Sequence, residues 1–279
     1  MSFTKLDPTD LVVSSDAVTA PAWSSNLPTL TTFYTASSGI TSSYYVDVYN
    51  TASTNINAAV QFSIAYGHIN GTGSAPLNAL VSQNTPTRIN FGQFRNIIYG
   101  DNEINVNFGA GMTSSMDLIA IAIDRNRYKE SLFPGTFNLS LSYGSAANTI
   151  KLTDNSNDVS TISYLDCGRV FNIISGSNGS AQNSPLATGA PAPGYTASGS
   201  YGLFLPDVGL ILLNPSALSC PTGAGGGLGL SFYTGTGPTA VNNTNNLLIL
   251  QTIQSGSSFQ LNSKETISSD YVFVRIKNA

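Results

Sequence analysis

Eleven Lys and Arg and fifteen Asp and Glu are all the ionic chemistry that 279 residues carry, so each cluster of them can be weighed singly. The densest is Asp124-Arg-Asn-Arg-Tyr-Lys-Glu130, with three cations and two acids in one short run. Planar guanidinium groups held at such a turn can dock on a partner through paired hydrogen bonds, or can be satisfied in place by the neighbouring acids. Arg125, Arg127 and Lys129 are therefore candidate partner contacts. Trp23, the only tryptophan, lies in a Pro- and Ser/Thr-rich stretch that reads as an extended arm and is the fourth candidate.

The remaining chemistry is thin. Asp117 with Asp124, or Glu130 beside Asp124, could in principle form the carboxylate pair of a glycoside hydrolase, but a strand end followed by a charged turn accounts for them equally. His68 is the only histidine, and no Gly-x-Ser-x-Gly elbow occurs, so a nucleophilic triad has no signature. The tract GAGGGLG at 223–229 has neither the spacing nor the lysine of a phosphate-binding loop and reads as a flexible connection. DNSND at 154–158 alternates oxygen ligands but lacks the glycine and distal glutamate of a calcium loop. Cys167 and Cys220 stand in no metal-ligand spacing and read as two free thiols. No catalytic residue, metal ligand or cofactor is expected, and the chain does not read as an enzyme.

In the elements that position these residues, alternation is the main signal. Tyr44 to Tyr49 and Val60 to Tyr66 form two alternating runs around a polar turn, a hairpin. Thr87 to Tyr99 follows Pro86 with Phe91, Phe94, Ile97 and Ile98 near helical spacing, which predicts a short helix. Ile104, Val106 and Phe108 alternate, Leu118 to Ile123 is an apolar run, and Phe137 to Tyr143 is the clearest half-buried strand. Shorter strands are expected at 149–153, 159–163 and 169–174, and a buried one at 208–213. Asn243 to Gln254 fits helix or strand. From Tyr271 to Lys277 the pattern puts Val272, Val274 and Ile276 inward. Two Gly/Ser-rich tracts, 175–201 and 220–239, read as contact loops, because unstructured loops of that length are usually functional.

The expected fold is mainly β, with antiparallel sandwich-like sheets, long Gly/Ser-rich loops and one or two short helices. An arm at 1–42, a β-rich domain at 43–174 and a loop-rich β region at 175–279, which could belong to the same domain, are the expected divisions. Composition supports this reading. Hydrophobic residues make up 41% and charged residues only 9%, while Ser, Thr and Asn supply about a third of the chain. Coiled coils and bundles are disfavoured because too few charges exist to solvate helix faces. With a net charge of -4 and a pI near 4.7, nucleic acid is not an expected partner. Low like-charge repulsion also eases docking and self-association. No secretion signal is read at the start, and the apolar run 208–213 is too short to span a bilayer, so no membrane insertion is expected.

Five blocks carry a resemblance: QFSIAYGHINGTGS at 61–74, DRNRYKESLFPGTFNLSLS at 124–142, GRVFNIISGSNGS at 168–180, SGSYGLFLPDVGLILLNPSAL at 198–218 and SSFQLNSKETISSDYVFVRIKNA at 257–279. In order from about Ser43 onward, they resemble virion structural proteins of T-even-like myophages that infect cyanobacteria. The resemblance implies a tail or baseplate building block synthesised in the host cytoplasm, ordered within the virion, with other tail proteins as partners. It implies no catalytic residues, and it implies a further β region beyond the position of Ala279. A receptor- or glycan-binding module, suggested by the many Tyr and Asn residues, is the second expectation, and a tail polysaccharide hydrolase the third.

Overall fold

The computed structural model describes residues 11–36, 43–78, 84–101, 105–108, 115–181, 201–221 and 226–273. Strands β1 (Leu11–Pro21), β2 (Thr29–Leu30), β3 (Val46–Tyr49) and β4 (Val60–His68) precede helix α1 (Pro86–Tyr99). Then come β5 (Asp117–Ile123), β6 (Ser131–Leu132), β7 (Asn138–Tyr143), β8 (Ser145–Asp154), β9 (Ser163–Leu165), β10 (Gly168–Ser177), β11 (Ser180–Ala181), β12 (Gly202–Leu205) and β13 (Leu210–Leu213). Helices α2 (Pro215–Ser219) and α3 (Thr244–Gly256) lead to β14 (Phe259–Gln260) and β15 (Asn262–Val272).

The protein is mainly β, and the strand pairings among the described residues are antiparallel. One sheet runs β2-β14-β7-β8-β10-β12-β13-β5-β4-β3, with β9 and β11 attached to β10. It curls until its ends meet: Phe62 of β4 and Phe259 of β14, far apart in that order, have ring centroids 5.3 Å apart. The concave side holds the larger core, where Ile119, Ile121 and Ile211 meet Leu139, Ile150 and Phe259. The convex side carries a second core, with Leu118, Ala120 and Leu212 under Phe91 and Ile98 of α1. Burial on both faces explains why 118–123 reads as a continuous apolar run rather than an alternation.

Helix α1 begins where the sequence places it. Thr85 is its N-cap, its side-chain oxygen accepting from the Arg88 amide at 3.3 Å, and Gly100 ends it at φ 63°. Gly67 lets the helix lie directly on β4, since a Cβ there would stand 2.8 Å from the Phe91 nitrogen.

Three α-helices are present among the described residues, one more than expected. The ambiguous run at 243–254 is helical because its buried positions, Asn246, Ile249, Leu250 and Ile253, recur at the helical spacing. Asn246 on that face accepts from the Tyr66 amide at 2.7 Å, so the polar residue stitches α3 to β4 instead of opposing burial.

The expected strand at 159–163 is present only at Ser163. Val159 and Ile162 are exposed and have no core to face. Val106 makes an isolated bridge to Ser115, and residues 182–200, 222–225 and 274–279 of the expected loops and last strand lie outside the described residues. The expected division at 174/175 falls inside β10, and one core draws on residues from Ala22 to Leu261.

Candidate interaction surface

Strands β1 and β15 form a ribbon apart from the curled sheet. Eleven consecutive residues pair without a bulge, from Leu11 against Val272 to Pro21 against Asn262. The Val- and Thr-rich sequence of β1 suits a strand, yet nine of its eleven residues are exposed, as are most of those in β15 beyond Glu265. In this register Leu11 and Val272 share one face, and Val12 and Tyr271 share the other. Both faces therefore carry apolar side chains, and neither has a core to meet. At the described end of the ribbon, Leu11, Val13 and Val272 on one face and Val12, Tyr271 and Phe273 on the other are each between 47% and 62% exposed, and exposed apolar groups of this kind mark contact surfaces.

The ribbon is anchored at its base. Strand β15 pairs with β6 at Ser263 and Lys264, the Thr266 amide donates to Glu130 Oε2 at 2.8 Å, and Lys264 Nζ sits 5.6 Å from the Phe133 ring centroid. The charged turn lies here. Asp124 Oδ1 accepts from the Asn126 amide at 2.9 Å, and Arg125 donates to the Tyr128 carbonyl at 2.6 Å while covering the Tyr128 ring at 4.6 Å. Arg127 Nε stands 4.0 Å from Asp124 Oδ1. Arg125 is thus satisfied in place, whereas Arg127 Nε is buried with no hydrogen-bond partner among the described residues and Lys129 is exposed at the surface.

Trp23, Arg127 and Lys129 line one cavity of about 310 Å³ at the ribbon base, with Glu265 on the opposite strand. Arg125 is not among its lining residues. The reading of Trp23 as a partner contact is corrected by its burial: it is 1% exposed and packs edge-on to Phe259 at 4.8 Å and Phe62 at 6.2 Å. The segment is not a free arm at this point, because Gln61 holds it through the Ser24 amide at 3.0 Å and the Ser24 hydroxyl at 2.9 Å. An indole gains more from a core that meets its whole face than from water.

Other chemical groups sit elsewhere. Asp117 and Asp124 flank the ends of β5, a seven-residue strand spanning roughly 20 Å, too far apart for the 5–9.5 Å of a hydrolase pair. Asp117 instead faces His68 across β5 and β4, and accepts from Tyr66 Oη at 3.2 Å and Ser115 Oγ at 3.0 Å. Sequence spacing hid this cluster because only the strand register creates it. Burial raises the Asp117 carboxyl against the pull of those hydrogen bonds, raises the Tyr66 phenol well above its ordinary value, and lowers His68. The cluster opens on a cleft of about 500 Å³ that also contains Cys220, whose thiol is pushed up by burial.

Asp154 of the DNSND run serves the fold, accepting from the Gly135 and Ser156 amides at 2.9 Å each. Both cysteines are free. No cluster of metal-ligating residues occurs among the described residues. A further cavity of about 320 Å³ is lined by uncharged residues, including Tyr99, Asn155, Asn172, Thr161 and Ser163 over Leu203. No family model, curated protein or solved structure matches this chain.

Proposed function

We propose that this chain is a structural subunit of a contractile-tailed bacteriophage virion, placed in the tail baseplate or its attachments and acting through protein-protein contacts rather than catalysis. The resemblance of its sequence blocks to cyanophage virion proteins supplies the context. The observation that carries the reading is the β1–β15 ribbon, exposed on both faces and with exposed apolar side chains on each. An isolated two-stranded ribbon is marginal in water, so a ribbon of this length is best explained by a neighbour that covers it. Strand β1 itself carries a single charge, Asp16, which limits the desolvation penalty of docking along that strand.

Quantitative mass spectrometry of purified particles tests the reading: the chain is expected at a fixed copy number per tail, and its absence from intact particles contradicts it. A second reading, a receptor- or glycan-binding module, is favoured by the uncharged cavity of Tyr99, Asn155 and Asn172, whose amides, hydroxyls and apolar floor suit a neutral sugar. Binding of neutral oligosaccharides that is lost in Tyr99→Ala would move that reading forward.

A further inference from the structure

The ribbon has an edge as well as two faces, and the edge is the more specific feature. Strand β1 is the outermost of the order β1-β15-β6, and Leu11–Ala20 hydrogen-bond to no third strand among the described residues. The open edge is about 34 Å long. Proteins blunt such edges with lysine, proline or bulges. Residues 11–20 contain no Lys, Arg or Pro, and their pairing with β15 runs without a bulge. Apart from the single charge of Asp16, the edge carries none of these devices among the described residues.

We propose that the strand it receives is β1 of a second copy of this chain, antiparallel, with Ser15 facing the partner's Ser15 on a two-fold axis. The inference rests on the reading of the chain as a subunit acting through protein contacts, and it names the partner.

The sequence of β1 selects both the partner and the register. A two-fold axis through an antiparallel pair sets one residue opposite its own copy and makes the contact isologous and closed. With Ser15 on the axis, Val12 meets the partner's Val18 and Val13 meets the partner's Ala17. Asp16, the only charge in the strand, meets the hydroxyl of the partner's Ser14. Moving the axis to Asp16 opposes two carboxylates, and moving it to Ser14 sets Val12 against Asp16. Tyr271 already lies beside Val12 across the ribbon, so pairing extends that apolar row to Tyr271, Val12 and the partner's Val18 at each end of the joined sheet. Two three-stranded sheets become one six-stranded sheet, in which neither copy of β1 keeps an open edge.

The test uses the full chain with Cys167→Ser and Cys220→Ser. Adding Ser15→Cys is expected to give a disulfide-linked dimer on mild oxidation. Val12→Cys and Thr19→Cys, whose copies lie off the axis, remain unlinked. Sedimentation velocity of the unaltered chain is expected to show a dimer, and Val12→Lys with Val18→Lys weakens it about tenfold or more with an unchanged circular dichroism spectrum. A monomer at every concentration up to about 100 µM, or Val12→Cys linking as readily as Ser15→Cys, overturns the proposal. A monomeric chain that is nevertheless present in particles overturns self-pairing and leaves the assembly reading standing. A dimer missing from particles supports self-pairing and removes that reading.

Discussion

Strands β5 and β1 make the same kind of antiparallel ladder from the same kind of residue, and they end in opposite environments. In β5, Leu118, Ile119, Ala120, Ile121 and Ile123 are all at most 5% exposed, because the curled sheet offers a core on each face. In β1, Leu11, Val12 and Val13 are each 47% exposed or more. The hydrogen-bonded ladder shapes both strands, but packing stabilises only one. The curled sheet is complete within the chain, whereas the ribbon has geometry without a core.

This contrast can be broken most forcefully at the seam of the curl. Phe62, buried between Trp23, Phe33 and Phe259, joins the two ends of the sheet. Phe62→Ala is expected to destabilise the fold by about 3–5 kcal/mol in urea denaturation. Gly67→Ala probes the outer layer: its new Cβ would push on the Phe91 backbone, lift α1 from β4, and lower stability by about 1–3 kcal/mol.

Arg169 and Asp207 test a smaller contribution, from a solvent-screened pair beside β10. Arg169 Nε donates to Asp207 Oδ1 at 3.0 Å, and the Arg169 amide to Asp207 Oδ2 at 2.8 Å. Burial tends to raise Asp207, but the Arg169 hydrogen bonds and charge carry its carboxyl below the ordinary range. The folded state thus holds the carboxylate better than the unfolded chain does. The stabilisation is present above the unfolded carboxyl pKa, about 3.9, and is lost as pH falls through the lowered value. Arg169→Ala should cost about 1 kcal/mol at neutral pH and little in strong acid, measured by denaturation at both. The smallest effect belongs to the ribbon: Val13→Ser is expected to change monomer stability by less than about 0.5 kcal/mol, since its side chain has nothing to leave.

The sequence reveals features governed by local pattern and hides those governed by register. The α1 boundaries were legible from Pro86 and the apolar spacing to Tyr99, and the hairpin of β3 and β4 from alternation and a polar turn. Val272 is exposed rather than inward because alternation reports that a strand has two faces, not that either face has a core to meet. Trp23 reads as a contact in sequence because it sits in a Pro- and Ser/Thr-rich stretch, while its neighbours in space, Phe62 and Phe259, are 39 and 236 positions away. The facing pair His68 and Asp117 and the open edge of β1 likewise exist only once strands are paired.

The most direct measurement is hydrogen exchange resolved by segment, on the dilute chain and on the same chain assembled in particles. Amides of Leu11–Ala20 are expected to exchange quickly in the dilute chain and to become protected on assembly, while those of β4, β5 and β13 stay protected in both states. Equal protection of β1 in the two states would contradict the claim that the ribbon is completed by a neighbour.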